Sequence, residues 1–377
     1  MLSPGSPVRL ISRPRRKFSN VLVSFLVILT LLWFLSFQRS NITAQPVARE
    51  DAQDPLDPIK NDTLGFEKIF VINSPQRPDR RDAIVLGSSA TGFHVDFIDK
   101  IIHEEDSIQG EGPTTDRDEI AAFRSHLNAV QRVVADRLAS ALIFEDDVDW
   151  DVNLKTQLRG FAQGALKIHK SNASHSPYGD SWDLLWLGHC GVKCNSSSPV
   201  QVMPHDITAI SSRFLPPYLY DAPAGTGNNV RMTCKMEEAA CSGAYAISYR
   251  ASQKILATLT LSTDNQAVNI EGLLSQLCRD GSLECYSSYP SLVGRWNWTR
   301  HGLDPSHSTQ GPDSQASLSM GAMYSTLQNV GRMLGGESQV RATVDDALVP
   351  ELNPDLFEVP YAVLKWTDNK GGHERHI

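Results

Sequence analysis

Apolar residues recur along the chain in two patterns that alternate. Short apolar runs rich in β-branched or aromatic residues predict buried strands at 68–73, 94–99, 141–144 and 182–187. Apolar residues spaced three and four apart predict helices over 118–138, 154–170 and 251–261. Because strands and helices alternate, the pattern predicts an α/β sandwich with a mainly parallel central sheet.

The longest apolar run lies near the N-terminus. Residues 18–37 carry no charged side chain and are about as long as a helix that crosses a ~30 Å hydrocarbon core. Five basic residues between Arg9 and Lys17 precede the run, whereas only Arg39 follows it closely. This bias predicts a single-pass type II anchor at 18–37 with a cytosolic tail at 1–17. A cleaved signal peptide is the alternative, although no small-x-small cleavage site follows the run.

Features typical of the secretory lumen follow the predicted anchor. Glycosylation sequons begin at Asn41, Asn61, Asn172, Asn195 and Asn297. Six cysteines, at 190, 194, 234, 241, 278 and 285, also lie on this side, where disulfides are expected. Pairing of neighbours, 190 with 194, 234 with 241 and 278 with 285, is the simplest of fifteen connectivities, and the sequence does not choose among them.

Changes of composition predict where the domains begin and end. Residues 38–65 are rich in Asp, Pro, Asn and Gln, which predicts a stem. A globular domain follows at 66–305, and a partly disordered segment at 306–377 begins with a Ser-, Gln- and Gly-rich stretch. With 41% hydrophobic residues the chain can bury a substantial core, and its net charge of −8 gives no support to nucleic-acid binding.

Acidic residues follow directly on the predicted strand at 141–144. Glu145, Asp146 and Asp147 come at its carboxyl end, and Asp149 comes two residues later. Ligands of open α/β sheets bind beyond the carboxyl ends of strands, and clustered carboxylates favour a neutralising cation. A divalent ion shared with phosphate oxygens would supply that charge. The alternative is a solvated acidic turn that ends the strand and caps the following helix.

Five segments occur in an order that points to a known family. They are Val71-Ile-Asn-x-x-x-Arg77-x-x-Arg80-Arg81, Asp118-Glu-Ile-Ala-Ala-Phe-Arg-Ser-His126, Leu142-Ile-Phe-Glu-Asp-Asp147, Asp183-Leu-Leu-Trp-Leu-Gly188 and Gly243-Ala-Tyr-Ala-Ile-Ser248. Over about residues 66–295 the chain resembles glycosyltransferase family 25, the family of lipooligosaccharide and procollagen galactosyltransferases. The most specific part is the pairing of the Ser-His helix with the Glu-Asp-Asp strand end.

The resemblance implies a fold, a donor and a reaction. The fold would be a GT-A type nucleotide-sugar-binding sandwich, which is Rossmann-like. The donor would be a UDP-sugar, commonly UDP-galactose, used with a divalent metal such as Mn²⁺ and with inversion at the anomeric carbon. The hypothesis is a Golgi or ER enzyme that moves a hexose, galactose by analogy, to a glycan or glycoprotein hydroxyl. The alternative is a non-catalytic lumenal protein that retains the fold.

The resemblance also assigns roles to the acidic residues. Asp147 is expected to be the first metal ligand, with Asp146 and Glu145 as partners of the metal and the donor ribose. Asp147-Val-Asp149 is itself an Asp-x-Asp sequence, so Asp149 is a second candidate metal ligand and the register is open by two residues.

Basic and polar residues complete the expected donor pocket. Arg77 and Arg81 are expected to meet the uracil or the diphosphate, because a guanidinium presents a planar fork to phosphate. A solvent-exposed first helical turn is the alternative for either arginine. Glu119 and His126 lie on one flank of the predicted helix at 118–138 and are expected to line the pocket by analogy with the family. The alternative is a polar pair that anchors the helix to a loop.

The acceptor-activating base is the point where the chain departs from the family. Members typically show Pro-(Val/Ile)-Asp after the Gly-Ala-Tyr-Ala-Ile-Ser segment, whereas this chain has Ala267-Val268-Asn269. Asparagine cannot accept the proton of the acceptor hydroxyl. Either Glu271 or Asp264 therefore supplies the carboxylate, or the family aspartate has a binding role, or activity is impaired.

Overall fold

The computed structural model describes residues 27–32, 54–102, 114–170, 173, 175–215, 223, 227–261, 269–298, 319–344 and 349–357. The chain divides into two compact units, Met1–Asp54 and Pro55–Ile377. In the first unit, residues 27–32 are helical, and the rest of the predicted anchor lies outside the described residues. Within the described ranges no helix is both long and apolar enough to span a membrane. The anchor at 18–37 stays a prediction.

The second unit contains strands and helices that alternate. The strands are β1 (Lys68–Asn73), β2 (Asp96–Asp99), β3 (Ser140–Glu145), β4 (Val148–Trp150), β5 (Leu184–Gly188), β6 (Val192–Cys194), β7 (Val200–Pro204), β8 (Val230–Ala239), β9 (Ala244–Ser248), β10 (Cys285–Tyr289), β11 (Val293–Trp296) and β12 (Ser319–Met320). The α-helices are α1 (Pro78–Ala90), α2 (Thr114–Ala135), α3 (Leu154–His169), α4 (Tyr249–Leu261), α5 (Ile270–Arg279) and α6 (Thr326–Leu334). Short 3₁₀ turns occur at Asp57–Lys60, Ser212–Phe214 and Pro354–Leu356.

A nine-stranded central sheet organises this unit. Its order is β2-β1-β3-β9-β5-β10-β8-β6, and β7 also pairs with β8. Strands β2, β1, β3, β5 and β10 run in one direction, because β9 is antiparallel to both β3 and β5. The predicted α/β class with a mainly parallel central sheet is confirmed. The carboxyl ends of β1 and β3 therefore meet at the same edge of the sheet.

The central strands are buried on both faces, as expected of a sheet covered by helices. In β1, Ile69 and Val71 belong to the core on the side of α1 and α3, whereas Phe70 and Ile72 belong to the core on the side of α2, α4 and α5. Such strands are continuous apolar runs in the sequence, which is why their positions were predictable.

Helix α2 ends earlier than the predicted limit of 138. Arg137 adopts a left-handed conformation with φ of 57°, and the Leu138 N–H bonds to the Val133 carbonyl at 3.0 Å. This is the geometry of a Schellman-type helix end, in which a left-handed residue reverses the chain. Apolar spacing continues to Leu138 because that side chain packs back on the core.

The fold extends on both sides of the predicted domain limits of 66 and 305. Leu56, Ile59 and Leu64, in the predicted stem, are buried in the core. Strand β12 joins β11 and β4 in a second, antiparallel sheet, and α6 packs against α1. The predicted limits came from the polar stretches at 38–65 and 306–319, which include or adjoin these segments.

The disulfides differ from pairing by neighbours. Cys278 pairs with its neighbour Cys285, but Cys190 pairs with Cys241 and Cys194 with Cys234. Neighbour pairing is therefore wrong for four cysteines. The reason is the antiparallel pairing of β6 with β8, which brings residues near 192 against residues near 239.

Candidate functional site

The ends of β1 and β3 are joined through Asp146. The parallel register places Ile72 beside Glu145, so Asn73 and Asp146 are the next residues on each strand. Asp146 accepts hydrogen bonds from the Asn73 side chain and the Ser74 N–H, both at 3.0 Å, and from Arg80 Nη1 at 2.7 Å. This carboxylate is buried and already hydrogen-bonded within the protein. Its ion pair with Arg80 holds that guanidinium at the edge of the sheet.

Arginines at the start of α1 take different positions. Pro78 occupies the first turn of the helix, where its missing N–H costs nothing. Arg77 pairs with Asp79 at 2.8 Å, and its guanidinium lies 5.5 Å from the centre of the Trp298 ring. The Arg80 guanidinium lies 6.0 Å from the same ring.

Arg81, which was expected to meet the uracil or the diphosphate, lies 3.9 Å over the Phe97 ring. Arg80, in the first turn of α1, thus contacts the strand-end acid Asp146. Arg77 is the N-cap of α1 and Arg80 lies in its first turn, and both guanidinium groups lie near the Trp298 ring.

Asp147, the expected first metal ligand, forms an ion pair with Arg295. Arg295 Nε and Nη2 lie 2.7 Å and 2.6 Å from Asp147 Oδ2. Burial raises the pKa of the Asp147 carboxyl, and the charge of Arg295 opposes that rise. Arg295 comes from β11, on the second sheet, and its side chain is 45% exposed. Sequence reasoning missed this residue because 148 positions separate the two partners.

Glu145 is held by a polar group of three side chains. Ser242 donates its hydroxyl to Glu145 Oε1 at 2.7 Å, and His126 Nε2 lies 3.5 Å from the same oxygen. His126 Nδ1 lies 3.0 Å from the Tyr245 hydroxyl. Burial opposes ionisation of Glu145, but His126 and Ser242 outweigh it and hold the pKa of the carboxyl well below its usual range. The carboxylate form is therefore the stable one at this position.

Glu271 is a second carboxyl beside this polar group. It is half-buried in the first turn of α5, with the backbone of Cys241 and Ser242 close by. Burial raises the pKa of Glu271, and the negative charge of Glu145 adds to the rise. Asp264, the other candidate base, lies outside the described residues. A carboxyl with a raised pKa suits proton transfer near neutral pH.

Asn269, which stands where the family shows aspartate, caps α5. Its side chain accepts a hydrogen bond from the Gly272 N–H at 2.7 Å. Aspartate would cap the helix about equally well, so the cap does not require asparagine. Capping thus accounts for a polar residue here without assigning it a chemical role.

Asp149 and Glu119 lie in other surroundings. Asp149 is fully buried in the second sheet, where it accepts hydrogen bonds from the Ser325 hydroxyl and from the N–H groups of Trp150 and Leu327. Burial raises the pKa of Asp149. These contacts do not favour a metal at Asp149. Glu119 is exposed on α2, whereas His126 on the same helix is buried.

The fit of the site to a divalent metal is poor. Each strand-end acid has its own basic partner, namely His126 for Glu145, Arg80 for Asp146 and Arg295 for Asp147. Within the described residues, no three His, Cys, Asp or Glu side chains are grouped so as to hold a metal ion. The expected Mn²⁺ site stays a prediction, and the chemistry below takes no step through a metal.

Comparisons with known proteins confirm the family resemblance. No family model matches the chain. The chain is 28% identical over 162 residues to inactive glycosyltransferase 25 family member 3 of Homo sapiens. The matched stretch covers 39% of the chain and 26% of that protein. It is 25% identical over 175 residues to procollagen galactosyltransferase 1 of Danio rerio, covering 41% and 27%. Procollagen galactosyltransferase 2 of Mus musculus is 22% identical over 176 residues, covering 41% and 25%. The matched part thus spans about a quarter of these relatives.

Proposed function

We propose that the chain is a glycosyltransferase with a GT-A type nucleotide-sugar-binding fold. It transfers a hexose, galactose by analogy with the relatives' names, from a UDP-sugar to a glycan or glycoprotein hydroxyl. It works in the Golgi or ER lumen behind the anchor predicted at 18–37. The observation that carries the proposal is the meeting of basic residues and carboxyls at one sheet edge, where Arg80 and Arg295 lie against Asp146 and Asp147.

Glu271 is the base of the proposed reaction. The acceptor oxygen forms a bond to the anomeric carbon while the bond from that carbon to the diphosphate oxygen breaks, so UDP leaves with the electron pair. Glu271 takes the proton of the acceptor hydroxyl. A single displacement of this type inverts the anomeric centre. The raised pKa of Glu271 and its place beside Glu145 support this role.

Donor turnover tests the proposal. The purified full chain in detergent is incubated with a panel of UDP-sugars and glycan acceptors, and UDP release is measured with Mn²⁺ and with EDTA. We expect turnover of UDP-galactose that falls by about 10²-fold or more in Glu271→Gln. Asp264→Asn is the matched control and should leave the rate unchanged. If Asp264→Asn lowers the rate and Glu271→Gln does not, Asp264 is the base. If no donor is turned over, the proposal that the chain is an enzyme is wrong.

A non-catalytic protein that retains the fold is the second candidate. Two observations favour it, namely Asn269 at the family's aspartate position and the word "inactive" in the names of several relatives. Isothermal titration with UDP separates the two candidates. Binding of UDP without turnover of any donor, in both the wild type and Asn269→Asp, would support the non-catalytic reading.

A further inference from the structure

A four-residue segment between β8 and β9 is held in place from several directions. This 240–243 segment comprises Ala240, Cys241, Ser242 and Gly243. Its Cys241 forms a disulfide with Cys190, which lies beyond the end of β5. Backbone hydrogen bonds also join the segment to residues 190–191. The Cys190 N–H donates to the Ala240 carbonyl at 2.8 Å, and the Ala240 N–H donates to the Gly191 carbonyl at 3.1 Å.

The conformation of the segment needs such restraint. Cys241 has φ of 62°, in the left-handed region that residues with a Cβ rarely adopt. Its carbonyl accepts a hydrogen bond from Trp186 Nε1 at 2.9 Å, which fixes the peptide that follows. The disulfide and the tryptophan together hold a backbone arrangement that a free loop would abandon.

Both carboxyls of the proposed site depend on this segment. The Ser242 hydroxyl donates to Glu145 Oε1 at 2.7 Å, and the Glu145 N–H donates to the Gly243 carbonyl at 2.9 Å. The backbone of Cys241 and Ser242 also lies close enough to Glu271 to oppose the rise of its pKa. One short segment therefore holds Glu145 directly and lies against Glu271.

The other two disulfides serve different parts of the fold. Cys194–Cys234 joins β6 to β8, and Cys278–Cys285 joins α5 to β10. Neither includes a residue of the 240–243 segment. The chain thus contains a matched internal control for the bond at Cys241.

We propose that the Cys190–Cys241 disulfide and Ser242 are positioning residues of the site, so that opening this one bond disables the site while the fold persists. The functional part of this inference rests on the proposed glycosyltransferase activity. It follows that activity is confined to an oxidising compartment for a reason of site geometry, in addition to any effect on stability.

Paired double variants of the full chain test the proposal. Cys190→Ser/Cys241→Ser is compared with Cys194→Ser/Cys234→Ser by kcat, donor KM, melting temperature and amide hydrogen exchange. We expect the first variant to lose about tenfold or more in kcat with donor KM nearly unchanged, because a small displacement of a reacting group has a large effect on rate. Exchange of the amides of residues 241 and 242 should be about tenfold faster or more. The control variant should leave kcat and these two amides unchanged even where its melting temperature falls.

Ser242→Ala isolates the hydroxyl from the disulfide. It should lower kcat by a smaller factor than the double variant and leave the exchange of the residue 241 amide unchanged. Equal loss of kcat in both cysteine variants, or unchanged exchange at 241 and 242 in Cys190→Ser/Cys241→Ser, would overturn the proposal.

Graded reduction of the wild type gives the same comparison if a variant does not fold. The chain is treated with increasing dithiothreitol, and alkylation with mass spectrometry reports the fraction of each disulfide opened. We expect kcat and the exchange of the 241 and 242 amides to follow the opening of Cys190–Cys241. If they follow Cys194–Cys234 or global unfolding instead, the proposal is wrong. Should the wild type turn over no sugar, the proposed function fails while the amide exchange still decides the positioning role.

Discussion

Two groups of acidic residues lie within one short stretch of chain but in opposite surroundings. At the edge of the central sheet, Glu145, Asp146 and Asp147 each contact a basic side chain. In the second sheet, Asp149 and Asp151 are buried and accept hydrogen bonds from neutral donors. Carboxyls thus face basic side chains in one region and only neutral donors in the other.

The effect of the partners shows in the opposite pKa shifts of Glu145 and Asp151. Burial is the largest influence on Glu145 and Asp151 alike, and it favours the neutral carboxyl. At Glu145 the neighbouring His126 and Ser242 reverse it and lower the pKa. At Asp151 burial prevails and raises the pKa to about 7. A run of acids in sequence therefore does not indicate one site, because the partner on the opposing element decides the protonation state.

The largest effect is expected from neutralising Asp146. Asp146→Asn keeps the shape of the side chain but removes the negative charge that pairs with Arg80, which is 12% exposed. Breaking a buried ion pair costs about 4 kcal/mol of unfolding free energy. Asp149→Asn is the matched change in the other region and should cost less, about 1 kcal/mol, because burial already opposes ionisation of the Asp149 carboxyl. Urea unfolding of the full chain measures the unfolding free energy of both variants. Equal losses would show that the two regions do not differ in this respect.

Asp151 should make stability depend on pH. Its folded pKa of about 7 lies above the unfolded value of 3.8, so the folded state binds the proton more tightly. Its contribution is fully present below pH ~4 and is lost as pH rises through about 7, at a cost of about 4 kcal/mol in all. Glu145 acts in the opposite sense, since its lowered pKa gives a contribution that is lost only in strong acid.

Urea unfolding at pH 5 and pH 8 measures the Asp151 effect. The difference between the two pH values should shrink by about 3 kcal/mol in Asp151→Asn relative to the wild type. An unchanged difference would show that Asp151 is ionised in the folded protein at both pH values.

A smaller loss of unfolding free energy is expected when the ion pair between Asp147 and Arg295 is removed. Arg295→Gln leaves a buried carboxylate without this ion pair and should cost about 1–2 kcal/mol at pH 7. Because burial raises the pKa of Asp147, protonation should relieve part of the loss at pH 5. Arg295→Lys keeps the charge and is the control in the same urea titration. A loss that is the same at both pH values would indicate that Arg295 acts through packing rather than charge.

The smallest change in stability is expected at the cap of α5. Asn269→Asp should alter the unfolding free energy by less than about 0.5 kcal/mol, because both residues cap helices well. The melting temperature checks this, with Asn269→Ala as the control that removes the cap. A rise in donor turnover in Asn269→Asp would show that the family's aspartate position takes part in the reaction.

Local patterns predicted most of the fold. The limits of β1 were correct, and those of β3 differed by one residue at each end, because both strands are continuous apolar runs. The segments at 55–65 and 319–357 were not predicted as folded, because their apolar residues become buried only against other elements. In the site, Glu145 and His126 do come together, as the paired motifs of the family suggested.

The sequence by itself determined the alternation of strands and helices, the acids at the end of β3 and the resemblance to glycosyltransferase family 25. Only the tertiary structure decided which base faces each acid, which cysteines pair, and that Glu271 lies beside Glu145. The physical reason is how far apart along the chain the interacting residues lie. Periodicity and strand ends are set by neighbours in the chain, whereas the partners of Asp147 and Cys241 come from distant segments that only the order of the sheet brings together.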